Sequence, residues 1–263
     1  MPRISQRHRL FLAACLSSAL IGLAARAALP QAMTADDIVG KNIAARGGLQ
    51  AWRNVQTMTM TGKIDAGSKQ NVQLPFVMKL KRPRMSRFEL EFAGKTALQV
   101  YDGATGWKMR PFLGRAAVEP FTQAELDSSA EQQDLDGFLI DHAAKGIRVE
   151  FVGIEPVEGR NAYRLKLTLK GGQARNLWVD TQSFLEVKTE GAPRRLNGKL
   201  RKVEVYYRDY RQVDGLMLPF TLETVVDSAK PGHKINIEKI VLNPKLDETA
   251  FAKPEISGMR ASN

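Results

Sequence analysis

The chain has 263 residues with 39 Lys and Arg against 28 Asp and Glu, a formal charge of +11, and a single cysteine. That length admits one large β domain or two small ones, and the unbroken strand patterning described below favours one. One cysteine excludes an internal disulfide framework, and the positive excess points to anionic partners, nucleic acid or lipid surfaces.

Met1–Ala27 has the three parts of a cleavable export signal. Arg3, Arg7 and Arg9 form the basic start, Leu10–Leu23 the apolar run, and Ala25-Arg26-Ala27 the small-x-small cleavage site. The run is shorter than the roughly 20 residues a spanning helix needs. Cys15 closes Leu12-Ala13-Ala14-Cys15, a lipobox-like tetrapeptide, but the apolar run continues past it to Leu23, so a soluble product is expected. Cleavage leaves a thiol-free chain whose charge falls from +11 to +7, because four arginines and no acid depart. The expected compartment is an oxidising one outside the cytoplasm, where an anionic membrane surface, not nucleic acid, is the natural partner of a basic protein.

Residues 28–263 read as one domain. Thr34 before Asp36 and Asp37 caps a helix striped by Ile38, Val39 and Ile43 and stopped by Gly47-Gly48. A short turn at Leu49–Trp52 leads to a strand over Gln56–Ile64. The stretch from Val72 to Met109 is then a meander: Val72, Leu74, Phe76, Met78 and Leu80 share a parity, as do Phe88, Leu90 and Phe92, then Leu98 and Val100, then Trp107 and Met109. Lys81-Arg82-Pro83, Ala93-Gly94-Lys95 and Asp102-Gly103 punctuate it. Thr122 and Glu125 form a capping box for a weakly apolar helix to about Gln133, followed by the greasier Phe138, Leu139 and Ile140. That combination suits either a movable cover or an ordinary surface connection. Seven more strands are expected between Ile147 and Leu242, with a basic hairpin tip in Arg194–Lys202, and Leu246–Phe251 adds a helical turn.

About eleven alternating strands expose a wide apolar face, and two short helices and a turn are all that could cover it. At ~25 cal/mol per Å² of apolar surface, such a face cannot stay in water. The expected fold is mainly β: a strongly curved antiparallel sheet, an incomplete barrel, with helices covering an apolar cavity. Methionines among the first strands and Trp107 and Trp178 suit cavity lining or plain core.

Chemical motifs are few. His142 and His233 lack metal-ligand spacing, and no nucleophile elbow, P-loop or dinucleotide fingerprint occurs. Asp134, Asp136 and Asp141 form either a carboxylate or metal site or a solvated loop rim. No enzyme and no cofactor are called for.

The order Lys81-Arg82-Pro83, Phe88 and Leu90, Asp102-Gly103 to Trp107 and Pro111, with Trp178-Val179-Asp180 and Asp214-Gly215 to Pro219 further on, resembles the LolA-like periplasmic lipoprotein-sorting proteins and the wider group of outer-membrane lipoprotein receptors and RseB-type sensors. The resemblance implies an incomplete barrel that holds the acyl chains of a lipoprotein or another envelope lipid, taken from an inner-membrane donor and given to an outer-membrane acceptor. It implies Arg82 as the latch of a helical lid. The expected lining is Phe76, Met78, Leu80, Phe88, Leu90, Phe92, Leu98, Val100, Trp107 and Met109. A lipid-sensing regulator or envelope-complex subunit without carrier activity is the alternative.

Overall fold

In a computed structural model the described residues are 33–65, 72–131, 134–196, 198–227 and 229–255. The expected export signal and Cys15 lie outside them. Among the described residues fifteen strands occur. Thirteen form one curved, unclosed antiparallel sheet in the order β6-β5-β4-β3-β2-β1-β15-β14-β13-β10-β9-β8-β7, and β11 and β12 pair separately.

The first half of the sheet is a meander of adjacent strands: β1 (Thr57–Asp65), β2 (Gln73–Lys81), β3 (Met85–Phe92), β4 (Lys95–Tyr101), β5 (Gly106–Arg110) and β6 (Arg115–Pro120). The second half is β7 (Arg148–Val157), β8 (Arg160–Thr168), β9 (Ala174–Asp180), β10 (Glu186–Glu190), β13 (Val203–Val213), β14 (Leu216–Val226) and β15 (Ala229–Leu242). The halves join where β15 returns to β1, pairing Met58 with Leu242 and Met60 with Ile240. Gly62 sits at the register shift of that seam, where a Cβ would lie 2.1 Å from the Asn236 carbonyl oxygen, so only glycine fits.

The strand count exceeds the expected figure of about eleven, and three strands, β6, β11 and a separate β12, are not among the expected runs. β6, Arg-Ala-Ala-Val-Glu-Pro, lacks large alternating side chains and gives no periodic signal. The single strand expected over Leu200–Tyr210 is divided at Lys202 into β12 (Lys199–Arg201) and β13, with β11 (Arg194–Leu196) completing the basic hairpin.

Helices cover one face of the sheet. Helix α1 (Ala35–Ala45) has the full capping box, Thr34 accepting from the Asp37 N–H while the Asp37 carboxylate accepts from the Thr34 N–H. Ile38 and Val39, with Leu139, are packed on Leu165, Leu167, Leu177 and Val179, the last four 0 % exposed. Helix α2 (Leu49–Asn54) places Trp52 on Leu216, Leu218 and Phe220. The two sheet edges, β6 and β7, are joined by helix α3 (Gln123–Glu131) and residues 134–147, which carry Leu139 into one cluster and Ile140 into the other. Phe138, Leu139 and Ile140 are buried, so this stretch is a plug driven into the covered face and not a loose greasy tip.

Candidate functional site: a partly covered apolar face and its ion-paired closure

The covered face is unevenly sealed. Over β8 and β9 its side chains are lost from solvent beneath α1. Over β1 to β3 they are not: Met60, Ile64, Leu74, Met78, Leu80, Phe88 and Leu90 are each only half-buried, with Met58 and Phe76 buried among them. Register sets this group together. Met60 faces Met78, Ile64 faces Leu74, Met78 faces Phe88 and Phe76 faces Leu90, with the Phe76 and Phe88 rings 6.1 Å apart. A contiguous apolar patch left half-covered has a free-energy incentive to take an apolar guest.

The ten residues expected to line one cavity divide between the two faces of the sheet. Phe76, Met78, Leu80, Phe88 and Leu90 belong to the patch. Phe92 shares their parity but ends β3 at the rim, 44 % exposed and edge-on to Phe112. Leu98, Val100, Trp107 and Met109 are on the opposite face, because β3 and β4 join through the two-residue turn Ala93-Gly94. Phe92 therefore pairs with Lys95 and Phe88 with Gln99, while Leu98 and Val100 stand beside Glu89 and Arg87. Met109 and Trp107 pair with Leu98 and Val100 and follow them. Leu98, Val100 and Met109 pack with Phe251 of the C-terminal 3-10 turn (Glu248–Phe251), and Leu98 and Met109 also border a charged cleft of about 800 Å³. Turn length was the sequence signal that could have separated the two groups. Trp178 is also outside the patch, under the Lys188 ammonium at 3.8 Å.

Arg82 is placed between the sheet and the plug. Its Nε donates to the Val55 carbonyl at 2.7 Å, and its Nη2 donates to the Trp52 carbonyl at 3.1 Å and to Asp136 Oδ2 at 2.7 Å. Asp136, 1 % exposed, also accepts from the Lys145 ammonium, and its backbone carbonyl accepts from Arg46 Nη1 at 2.9 Å. Around this centre Arg53 grips Asp141 with two hydrogen bonds and Arg84 donates to Asp134 at 2.8 Å. The Arg53 guanidinium holds the Asp141 carboxyl below the usual carboxylate range. All three aspartates are thus ion-paired, and Asp136 lies buried and not on a solvated rim. They fasten the plug to α1, α2 and the β2–β3 turn, and among the described residues no group of three or more His, Cys, Asp or Glu could hold a metal ion.

Helix α3 lacks an apolar stripe, and charge holds it. Glu125 accepts from the Lys108 ammonium and from Arg110, and closes the capping box with Thr122. Lys108 shares the covered face with Gln99, so the pair fixes α3 to β5 on that face. Burial opposes the Glu125 charge, but Lys108 and Thr122 outweigh it and hold the carboxyl at about 2. A folded value below the unfolded one means stability fully present above about pH 4.5 and lost as pH falls toward 2. Glu125→Gln is expected to cost about 1–2 kcal/mol at neutral pH after solvent screening. Urea midpoints of variant and parent should converge by about pH 2; a constant gap down to that pH would show that the carboxylate is not the tie.

An open antiparallel sheet, helices on one face, and an apolar patch beneath an ion-paired closure define the class as a half-barrel built around a sheltered face. No protein-family model and no curated protein matches the sequence. Solved structures do. A LolA-superfamily protein from Nitrosomonas europaea is 18 % identical, with a TM-score of 0.53, covering 84 % of this chain and 99 % of that one. A DUF1329 family protein from Desulfovibrio piger gives 16 %, 0.54, 83 % and 97 %, and a putative outer membrane lipoprotein-sorting protein domain from Vibrio parahaemolyticus gives 14 %, 0.53, 82 % and 95 %. The chain has the LolA-like fold.

Proposed function

We propose that the protein is an exported, periplasmic binding protein that shelters the acyl chains of a lipoprotein or other envelope lipid against the half-covered face of β1 to β3. It would receive them from an inner-membrane donor and pass them to an outer-membrane acceptor without covalent chemistry. The single observation that carries this reading is the contrast between the two halves of one face: sealed over β8 and β9, half-open over β1 to β3. Methionine and phenylalanine there supply a deformable apolar wall, which suits chains of varied length and saturation. The fold shared with a lipoprotein-sorting domain supports the same reading.

In this scheme the plug residues 134–147 are the moving part. Arg82 and Asp136 form the contact that holds them down. Opening exposes the patch, and closing replaces water with lipid. The decisive experiment is mass spectrometry of an organic extract of the protein purified from its native envelope. One or more acyl-chain lipids at near-stoichiometric amount are expected. A lipid-free protein recovered with a stoichiometric protein partner would instead favour the regulator or complex-subunit role.

A further inference from the structure

Hairpin β11–β12 is the one structural unit among the described strands that stands outside the thirteen-stranded sheet. Residues 194–202, Arg-Arg-Leu-Asn-Gly-Lys-Leu-Arg-Lys, contain five basic side chains and no acid. Its root and its tip differ in electrostatics. At the root Arg201 Nη1 meets Asp227 Oδ2 at 2.6 Å, and Lys202 Nζ sits between Glu190 at 3.3 Å and Glu204 at 3.1 Å. These pairs tie the hairpin to β10, β13 and the end of β14. At the tip Arg195 and Lys199 are exposed and face no carboxylate among the described residues. Leu200, next in the chain to Lys199 and paired across the hairpin with Arg195, is 66 % exposed, more than any other large hydrophobic side chain described.

A surface loop that needs only solubility gains nothing from holding a leucine in water beside uncompensated cations. A bilayer with anionic headgroups satisfies both, taking the charge at the phosphates and the leucine at the acyl boundary. Strand register places the exposed Phe92 at the same end of the sheet, since the C-terminal end of β3 connects through β2, β1, β15 and β14 to the N-terminal end of β13.

We propose that the β11–β12 hairpin docks this end of the protein on an anionic lipid bilayer, with Arg195 and Lys199 engaging headgroup phosphates and Leu200 entering the interface. The inference deepens the carrier reading by naming the surface where transfer occurs, but its test reads vesicle binding and not bound cargo. The protein as isolated from cells is sedimented with vesicles of phosphatidylglycerol mixed with phosphatidylcholine, and with phosphatidylcholine alone. Binding is expected only to the anionic vesicles and should weaken as NaCl rises. Arg195→Glu/Lys199→Glu should lower that binding roughly tenfold or more, and Leu200→Gln about tenfold. Both variants should keep the parent urea midpoint, because the hairpin lies outside the sheet. Equal binding to neutral vesicles, or parental binding by both variants, overturns the proposal. So does retention on immobilised polyglutamate without vesicle binding, which would assign the hairpin to an acidic protein instead.

Discussion

Arg82→Leu is expected to lower stability by about 3 kcal/mol and, at the same time, to speed exchange of bound lipid. The first effect follows from three lost bonds: two backbone carbonyls lose a donor, and the buried Asp136 carboxylate keeps Lys145 as its remaining charged side-chain partner. The second follows from position, because Asp136 belongs to the plug while Arg82 belongs to the β2–β3 turn. Asp136→Asn should reproduce both effects, and the double variant should cost less than the sum by about 1–2 kcal/mol, as for contacting groups in one network. Urea denaturation measures the first effect and fluorescent-lipid exchange the second. A control of equal instability is needed, and Leu98→Ala provides it. Leu98 is a 5 % exposed core residue on the opposite face, and its truncation should cost about 2–5 kcal/mol. If Leu98→Ala speeds lipid exchange as much as Arg82→Leu does, Arg82 is a strut and not a latch.

Met78→Gln/Leu90→Gln should remove at least about nine-tenths of the extractable lipid while costing roughly 1–2 kcal/mol in stability. Both side chains are half-buried in the open part of the covered face, where polarity acts mainly on a guest. Changes on the opposite face should show the reverse pattern. Val100→Ala, at a position 1 % exposed beneath Phe251, should cost stability and leave lipid content at the parental level. Lipid loss in the Val100 variant matched to its destabilisation, with none in the Met78/Leu90 variant, would move the binding face to the other side of the sheet.

The site was legible in part, and the division has a physical cause. Alternation within a strand is a local property, so the apolar members of β2, β3, β4 and β5 could each be read from the chain. Whether two strands present the same parity to the same face depends on the turn between them. Across Lys81–Arg84 even residues oppose even residues, so Phe76 meets Leu90. Across Ala93-Gly94 even residues oppose odd ones, so Leu98 and Val100 go to the far face. The acids near His142 show the other limit. Three aspartates within eight residues look like a site or a solvated rim, and nothing local tells that Arg46, Arg53, Arg82 and Arg84 converge on them and on their backbone.

By itself the sequence determined the mainly β class, the Thr34 cap of α1, the turn positions, the basic hairpin, and an apolar surface too wide for the helices available. Those features rest on interactions between residues a few positions apart, which the chain carries wherever it folds. Only the tertiary structure decided that β15 closes on β1, that Leu139 and Ile140 plug the covered face, and that one half of that face is sealed while the other stays half-open. Each of these joins residues far apart in the chain, from Met58 with Leu242 to Arg82 with Asp136. Such pairings are chosen by the total apolar area and charge they remove from water, a quantity no single segment contains.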